Sequence, residues 1–160
     1  MEMIDIKDKF LVKEDVDAVT FYCENASYVY GETDGYDLPP TGMIHEIEKR
    51  SSIYKLFESK TKPLVNDNLF LYRMYINCFA PSEQPYFHKD GDTGDITFLY
   101  YVNKTWNYQE GGETQFIVNN EIYGVTPIPN RMVYFDASIL HRATAFRNRH
   151  RFTIAIKYGV

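Results

Sequence analysis

The chain has 160 residues, of which 44% are hydrophobic, and its formal net charge at pH 7 is −5. This length and apolar content predict one globular domain over residues 1–160 and exclude an intrinsically disordered chain. The acidic balance disfavours nucleic acid as a partner, because non-specific binding to phosphates needs a basic surface.

The start of the chain and its two cysteines favour a cytoplasmic protein. The first residues lack the basic and then apolar layout of a signal peptide, and no apolar run approaches a membrane span. Cys23 and Cys78 lack the spacing of a metal site or a disulfide framework, so we expect free thiols in a reducing compartment. We therefore expect no membrane partner, and the oligomeric state stays open.

The first third of the chain has the pattern of helices with irregular connections. Residues 14–24 carry apolar side chains at a 3.6-residue period, which predicts an amphipathic helix. Residues 43–60 predict a second helix, with Thr41 as its N-cap and Pro63 beyond its end. Residues 27–42 are rich in Tyr, Gly, Asp and Pro. They form either an ordinary connector or a lid, since functional loops combine glycine hinges with aromatic side chains.

After Asn68 the hydrophobic period changes to two, which is typical of strands. Strands are predicted over residues 69–79, 95–103, 113–118, 131–136, 140–146 and 151–158. Alternation places Leu71, Arg73, Tyr75 and Asn77 on one face of the first strand. In the second strand it places Phe98 and Tyr100 on the face opposite to Leu99 and Tyr101. Helices followed by many short strands predict a mainly β jelly roll or barrel with the helices packed outside. Residues 1–66 would form the helical support and residues 67–160 the β core.

A histidine and an aspartate two residues apart, His88 and Asp90, are the first pair that could bind a metal. In an extended segment the side chains i and i+2 leave on the same face. His141, in another strand-like run, is the best candidate for a third ligand. Two histidines and one carboxylate, with coordination positions left open, form the facial triad of non-haem Fe(II) oxygenases. Alone, a His-x-Asp pair is more often a surface salt bridge or a turn.

Arg151 is predicted on the cavity side of the last strand. Alternation places Arg151 and Thr153 on a face with small residues, while the opposite face is apolar and belongs in the core. A buried arginine needs an anion, and its planar fork fits a carboxylate, to which Tyr101 could add a hydroxyl. An open iron site with an arginine at the end of its pocket fits 2-oxoglutarate. The alternative is an ordinary exposed charge near two other arginines.

Five motifs in this order resemble the 2-oxoglutarate and Fe(II)-dependent oxygenase superfamily, and its prolyl hydroxylase branch in particular. They are His88-Lys89-Asp90, LYYVNKTW at 99–106, GGE at 111–113, PNRMVYF at 129–135, and the pair His141 and Arg151. The resemblance covers residues 69–158 and implies a cupin-like, double-stranded β-helix. It implies that His88, Asp90 and His141 bind iron. It also implies that Arg151 binds the distal carboxylate of 2-oxoglutarate with help from Tyr101, and that Tyr75 and Thr153 lie beside this cosubstrate.

The resemblance implies a dioxygenase that hydroxylates a C–H bond and releases succinate and CO2. Its cofactors and cosubstrates would be Fe(II), 2-oxoglutarate and O2, with ascorbate as a reductant. The substrate stays open between a peptidyl-proline and a small molecule such as a free amino acid. A jelly-roll module that binds a metal or a sugar without turnover is the remaining alternative. Lys157 stands where the most similar relatives carry an aromatic residue, so the resemblance does not carry their exact substrate pocket over to this chain.

Overall fold

Residues 4–160 are described by the computed structural model, in which two antiparallel sheets face each other. The elements are β1 (Ile4–Lys7), α1 (Lys13–Asn25), β2 (Val29–Tyr30), β3 (Met43–Glu46), α2 (Ser52–Thr61), a 3-10 turn (Lys62–Leu64), β4 (Phe70–Phe79), β5 (Ile96–Tyr101), β6 (Thr114–Val118), β7 (Glu121–Val125), β8 (Met132–Asp136), β9 (His141–Ala143) and β10 (Arg151–Gly159). The larger sheet has the order β1-β8-β5-β10-β4-β3-β2, and the smaller sheet has the order β7-β6-β9. The predicted mainly β class is confirmed.

Strand β10 separates the core beneath the helices from the space between the sheets. It pairs with β4 on one side and β5 on the other. Ile154 and Ile156 are fully buried in a cluster with Phe57 of α2. Arg151 and Thr153 leave on the opposite face and line a cavity. The two faces predicted for this strand are therefore confirmed.

A β-bulge in β4 changes which side chains reach the cavity. The pairing moves from Lys157 opposite Arg73 to Tyr158 opposite Leu71, so β4 holds one extra residue there. Leu71 consequently packs against the helix-side core while Arg73 lines the cavity. The prediction that Leu71 and Arg73 share a face is wrong, because a bulge interrupts strict alternation.

The first predicted helix is confirmed, whereas the second begins later than predicted. Helix α2 is capped by Ser51, whose hydroxyl oxygen accepts a hydrogen bond from the Tyr54 N–H at 3.1 Å. Met43–Glu46 instead forms β3 and pairs with β4. Thr41 caps no helix and donates its hydroxyl to Asp34. Residues 43–50 and the Thr41 cap were wrongly assigned, because pairing with β4 satisfies the backbone groups that a helix would have used.

The remaining predicted strands are present, and β7 is an addition. It forms a hairpin with β6 through Asn119 and Asn120, which have φ angles of 52° and 64°. Two successive positive φ angles are those of a type I′ turn, which asparagine tolerates. Strand β1 at the edge of the larger sheet was also not predicted. Neither helix in the described part of the chain has the length and apolar content needed to cross a membrane.

Candidate metal centre

His88 and His141 are brought together by a single antiparallel bridge between the β4–β5 loop and β9. Each backbone N–H donates to the carbonyl oxygen of the other residue at 3.0 Å, and the ring centroids are 4.6 Å apart. The Asp90 N–H donates to the carbonyl oxygen of Ala137 at 2.9 Å, which fixes the carboxylate beside the two rings. His88 and Asp90 thus lie in the β4–β5 loop, which a single bridge joins to β9, and not in a regular strand.

The three side chains form a cluster with the dimensions of a metal site. They offer one ligand atom each, and these atoms lie within 4.8 Å of one another. Oδ1 of Asp90 is 3.4 Å from Nε2 of His88, and Oδ2 is 3.4 Å from Nε2 of His141. Adjacent ligands at about 2.1 Å from a metal stand about 3 Å apart in octahedral geometry. The spacing therefore fits one divalent ion after small side-chain adjustments.

Backbone carbonyls select the tautomer of both histidines. Nδ1 of His88 donates to the carbonyl oxygen of Tyr86 at 2.9 Å, and Nδ1 of His141 donates to that of Ile139 at 2.9 Å. Because a carbonyl oxygen only accepts, the proton of a neutral ring lies on Nδ1. Nε2 faces Asp90 and can carry either the second proton of a charged ring or a metal ion, which is the arrangement of a metal-binding histidine.

The Asp90 carboxylate is buried and accepts a hydrogen bond on each oxygen. Oδ2 accepts from the Thr97 hydroxyl at 2.9 Å, and Oδ1 accepts from the Lys157 ammonium at 2.9 Å. Burial alone raises the pKa of Asp90, but hydrogen bonds from His141 and His88, together with the charge of Lys157, outweigh burial and hold this pKa well below its ordinary value. Asp90 is therefore an anion at neutral pH, as a metal ligand must be.

Arg151 lies in the same cavity and is only 1% exposed. Its Nε donates to the carbonyl oxygen of Gly112 at 2.9 Å, and its Nη2 donates to the Thr114 hydroxyl at 3.0 Å. Burial lowers the pKa of Arg151, although Tyr101 and Glu113 oppose this shift. Within residues 4–160 no carboxylate pairs with the guanidinium, which stays charged at any ordinary pH. A buried cation without a counter-ion is costly, and a bound anion would remove that cost.

Tyr101 is fully buried behind the arginine and contacts the cavity through Thr114. Its hydroxyl donates to the Thr114 hydroxyl at 2.7 Å, and the Arg151 guanidinium lies 5.5 Å from its ring centroid. Thr114, not Tyr101, lines the cavity. Thr114 directly follows the Gly111-Gly112-Glu113 motif, but nothing in the sequence singled it out.

Thr153 of β10 and Tyr75 of β4 both line the cavity. Thr153 pairs with Asn77 of β4 and lies one step along the cavity face from Arg151, whereas Tyr75 pairs with Ala155. Burial is the main cause that raises the pKa of Tyr75 to about 12, so its phenol stays protonated. Asn77 also lines the cavity, and the alternation of β4 had already placed it on the same face as Tyr75.

Residues 27–42, the segment predicted as either a connector or a lid, contribute to the wall of the cavity. Asp34 and Glu32 of this segment line the cavity. Oδ1 of Asp34 is 3.3 Å from Nδ1 of His88, and Oε1 of Glu32 is 2.9 Å from Nη1 of Arg73. These contacts attach the segment to the metal cluster and to β4, and its movement stays a prediction.

The cavity has a volume of about 270 Å³. At about 30 Å³ per water molecule, this volume holds about nine waters, close to the roughly ten non-hydrogen atoms of 2-oxoglutarate. The cavity that contains the metal cluster and Arg151 therefore has the volume of a small dicarboxylate.

Comparison with known proteins decides the family. The family model of the 2OG-Fe(II) oxygenase superfamily matches residues 72–158. The chain belongs to this superfamily. No curated protein sequence matches the chain significantly.

Solved structures with the same fold include two prolyl hydroxylases. A Pseudomonas putida prolyl-4-hydroxylase has a TM-score of 0.82 and 14% identity over 100% of this chain and 94% of that chain. A Trichoplax adhaerens prolyl hydroxylase, in complex with a hypoxia inducible factor oxygen degradation domain peptide, has a TM-score of 0.77 and 19% identity over 97% of this chain and 82% of that chain. HygX from Streptomyces hygroscopicus, with nickel and 2-oxoglutarate bound, has a TM-score of 0.76 and 11% identity over 99% of this chain and 83% of that chain.

These findings confirm the predicted superfamily, the jelly-roll fold and the enzyme class. The cofactors of the superfamily, Fe(II) and 2-oxoglutarate with O2, are those predicted. The alternative of a jelly-roll module without turnover is thereby discarded. The use of ascorbate stays a prediction.

Proposed function

We propose that the chain is a 2-oxoglutarate- and Fe(II)-dependent hydroxylase whose metal is held by His88, Asp90 and His141. Arg151 would bind the distal carboxylate of 2-oxoglutarate. The observation that carries this proposal is one cavity that contains both the metal-ligand cluster and a buried arginine without a counter-ion. We further propose that residues 1–66 and 67–160 act as one domain, since β1 and β3 pair with strands of the larger sheet.

The protein contributes binding and orientation to this reaction. Bound iron supplies the oxygen-activating chemistry, with 2-oxoglutarate oxidised to succinate and CO2 as a substrate C–H bond is hydroxylated. Arg151 fixes the cosubstrate through a two-point contact, and Thr114 and Thr153 stand next to it with hydroxyls. Tyr101 holds Thr114 and packs beside the guanidinium. Buried side chains around the cavity limit the entry of water.

The proposed substrate is a prolyl residue of a peptide or protein. Two structures that share the fold are prolyl hydroxylases, and one of them was solved with a peptide. A small molecule is the second candidate because the cavity is also lined by charged side chains, among them Glu32, Asp34 and Arg73. Such a lining suits a polar ligand, and HygX was solved with hygromycin B.

The test begins without a substrate. Purified protein with Fe(II), 2-oxoglutarate and ascorbate should release succinate slowly, and His88→Ala should abolish this release. The same protein is then incubated with proline-containing peptides and, separately, with a metabolite library. A mass increase of about 16 Da that needs 2-oxoglutarate identifies the substrate. Product in the peptide arm supports the prolyl proposal, and product in the metabolite arm alone overturns it.

A further inference from the structure

Lys157 is a second cation in the cavity, mostly but not fully buried, on the same face of β10 as Arg151. Its side chain is 11% exposed. The Cα atoms of the two residues are six positions apart along the strand, about 20 Å at about 3.3 Å per residue. The guanidinium of Arg151 donates to Gly112 and Thr114, whereas the ammonium of Lys157 contacts Asp90. The role of Lys157 is therefore sought at the metal cluster.

The ammonium of Lys157 contacts one oxygen of one metal ligand. Nζ lies 2.9 Å from Oδ1 of Asp90, while Oδ2 of the same carboxylate accepts from the Thr97 hydroxyl at 2.9 Å. Nζ also lies 5.4 Å from the ring centroid of Tyr75, which lines the same cavity. The charge is thus held in place against Oδ1.

The contact matters because a carboxylate can bind a metal through one oxygen or through both. In an octahedral site, three single-atom protein ligands leave three positions, of which the oxo-acid takes two. An aspartate that binds through both oxygens would occupy a fourth position and leave only the two positions that the oxo-acid takes. An ammonium hydrogen-bonded to Oδ1 prevents this oxygen from binding the metal.

We propose that Lys157 is a positioning residue that occupies Oδ1 of Asp90, so that Asp90 offers only Oδ2 to the metal and the remaining coordination positions stay available. The inference rests on the proposed metal centre. Oδ2 can serve both Thr97 and the metal, since each carboxylate oxygen has two lone-pair sites.

The proposal predicts that Lys157 weakens metal binding, which is an unusual direction for a residue that contacts a metal ligand. Loss of a hydrogen-bond partner that merely orients a ligand typically weakens metal affinity 10- to 100-fold. A positive charge about 5 Å from a divalent ion repels it, and removing that charge at the dielectric of water strengthens binding by about tenfold. The sign of the change therefore separates the two roles.

The experiment compares Lys157→Met, Lys157→Gln and Lys157→Arg with the unmodified protein. Calorimetric titration with Mn²⁺ measures metal affinity, and the visible absorption of the Co²⁺-loaded protein reports the coordination number. We expect Lys157→Met to bind Mn²⁺ about tenfold more tightly, to change the Co²⁺ spectrum, and to lose at least about tenfold in the kcat of succinate release. The KM for 2-oxoglutarate should change little, because Arg151 and two coordination positions remain.

The other variants separate charge from hydrogen bonding. Lys157→Gln keeps a donor for Oδ1 and should bind metal more tightly while retaining turnover, and Lys157→Arg should restore both properties. Lys49→Met, at an exposed lysine outside the cavity, controls for the loss of one charge. Weaker metal binding by Lys157→Met and Lys157→Gln, or an unchanged kcat in Lys157→Met, would overturn the proposal. If His88→Ala binds Mn²⁺ as tightly as the unmodified protein, the metal centre itself fails, which is a separate result.

Discussion

Substitution of Arg151 by methionine removes the guanidinium and keeps most of the side-chain volume. The proposed carboxylate of 2-oxoglutarate then lies in a buried pocket without its cation. Breaking a buried ion pair by removing one partner costs about 3–5 kcal/mol. Because each 1.4 kcal/mol is a factor of ten, the Kd for 2-oxoglutarate should rise by a factor of about 100 to 4,000.

The same substitution should leave the stability of the ligand-free protein almost unchanged. Arg151 donates hydrogen bonds to Gly112 and Thr114, worth about 1 kcal/mol each, but its buried charge has no counter-ion in residues 4–160. Loss of the bonds and relief of the unpaired charge oppose each other. We expect the Tm to change by less than about 4 °C.

The assay is calorimetric titration of 2-oxoglutarate into protein loaded with Mn²⁺, which avoids turnover. Arg147→Met is the matched control, since Arg147 is exposed and its Nε contacts the Gln109 carbonyl outside the cavity. An affinity of Arg151→Met for 2-oxoglutarate within about threefold of the unmodified protein would refute the assigned role. An equal loss of Mn²⁺ affinity would show that the substitution disturbs the whole cavity.

Three further changes test the metal centre and the fold. Asp90→Asn should lower Mn²⁺ affinity at least about 100-fold in calorimetry, because the site loses its anionic ligand. Gly112→Ala should lower the Tm by about 5–10 °C, since φ is +86° and a Cβ would lie 2.2 Å from the Phe146 ring. Gly94→Ala is the control for backbone strain alone, because φ is +97° and the space around it is open. It should lower the Tm less than Gly112→Ala does. Ser51→Ala removes the cap of α2 and should cost about 1 kcal/mol in urea unfolding, and no change would mean that the cap contributes nothing.

The strands and their buried faces were predictable because alternation is a local property. In β5 the faces predicted from the sequence are the observed ones, with Phe98 and Tyr100 under the helices and Leu99 and Tyr101 between the sheets. The sequence failed where pairing with a distant strand decides the structure. His45, inside the predicted helix, pairs with Ile76 across the sheet, and no local period records that contact.

The metal cluster was predictable from motif order, and its surroundings were not. His88 and His141 belong to recognisable motifs, but their approach depends on a bridge between a loop and β9. Lys157 was noted only as a departure from related sequences. Its contact with Asp90 arises because the β4–β5 loop folds over the end of β10, a long-range arrangement that the sequence does not specify.

A crystal structure of the protein with Mn²⁺ and 2-oxoglutarate tests the central claim most directly. The account predicts one metal ion bound by Nε2 of His88, Nε2 of His141 and one oxygen of Asp90, with the distal carboxylate of 2-oxoglutarate on the Arg151 guanidinium. A metal ion bound elsewhere, or a carboxylate that does not contact Arg151, would contradict it.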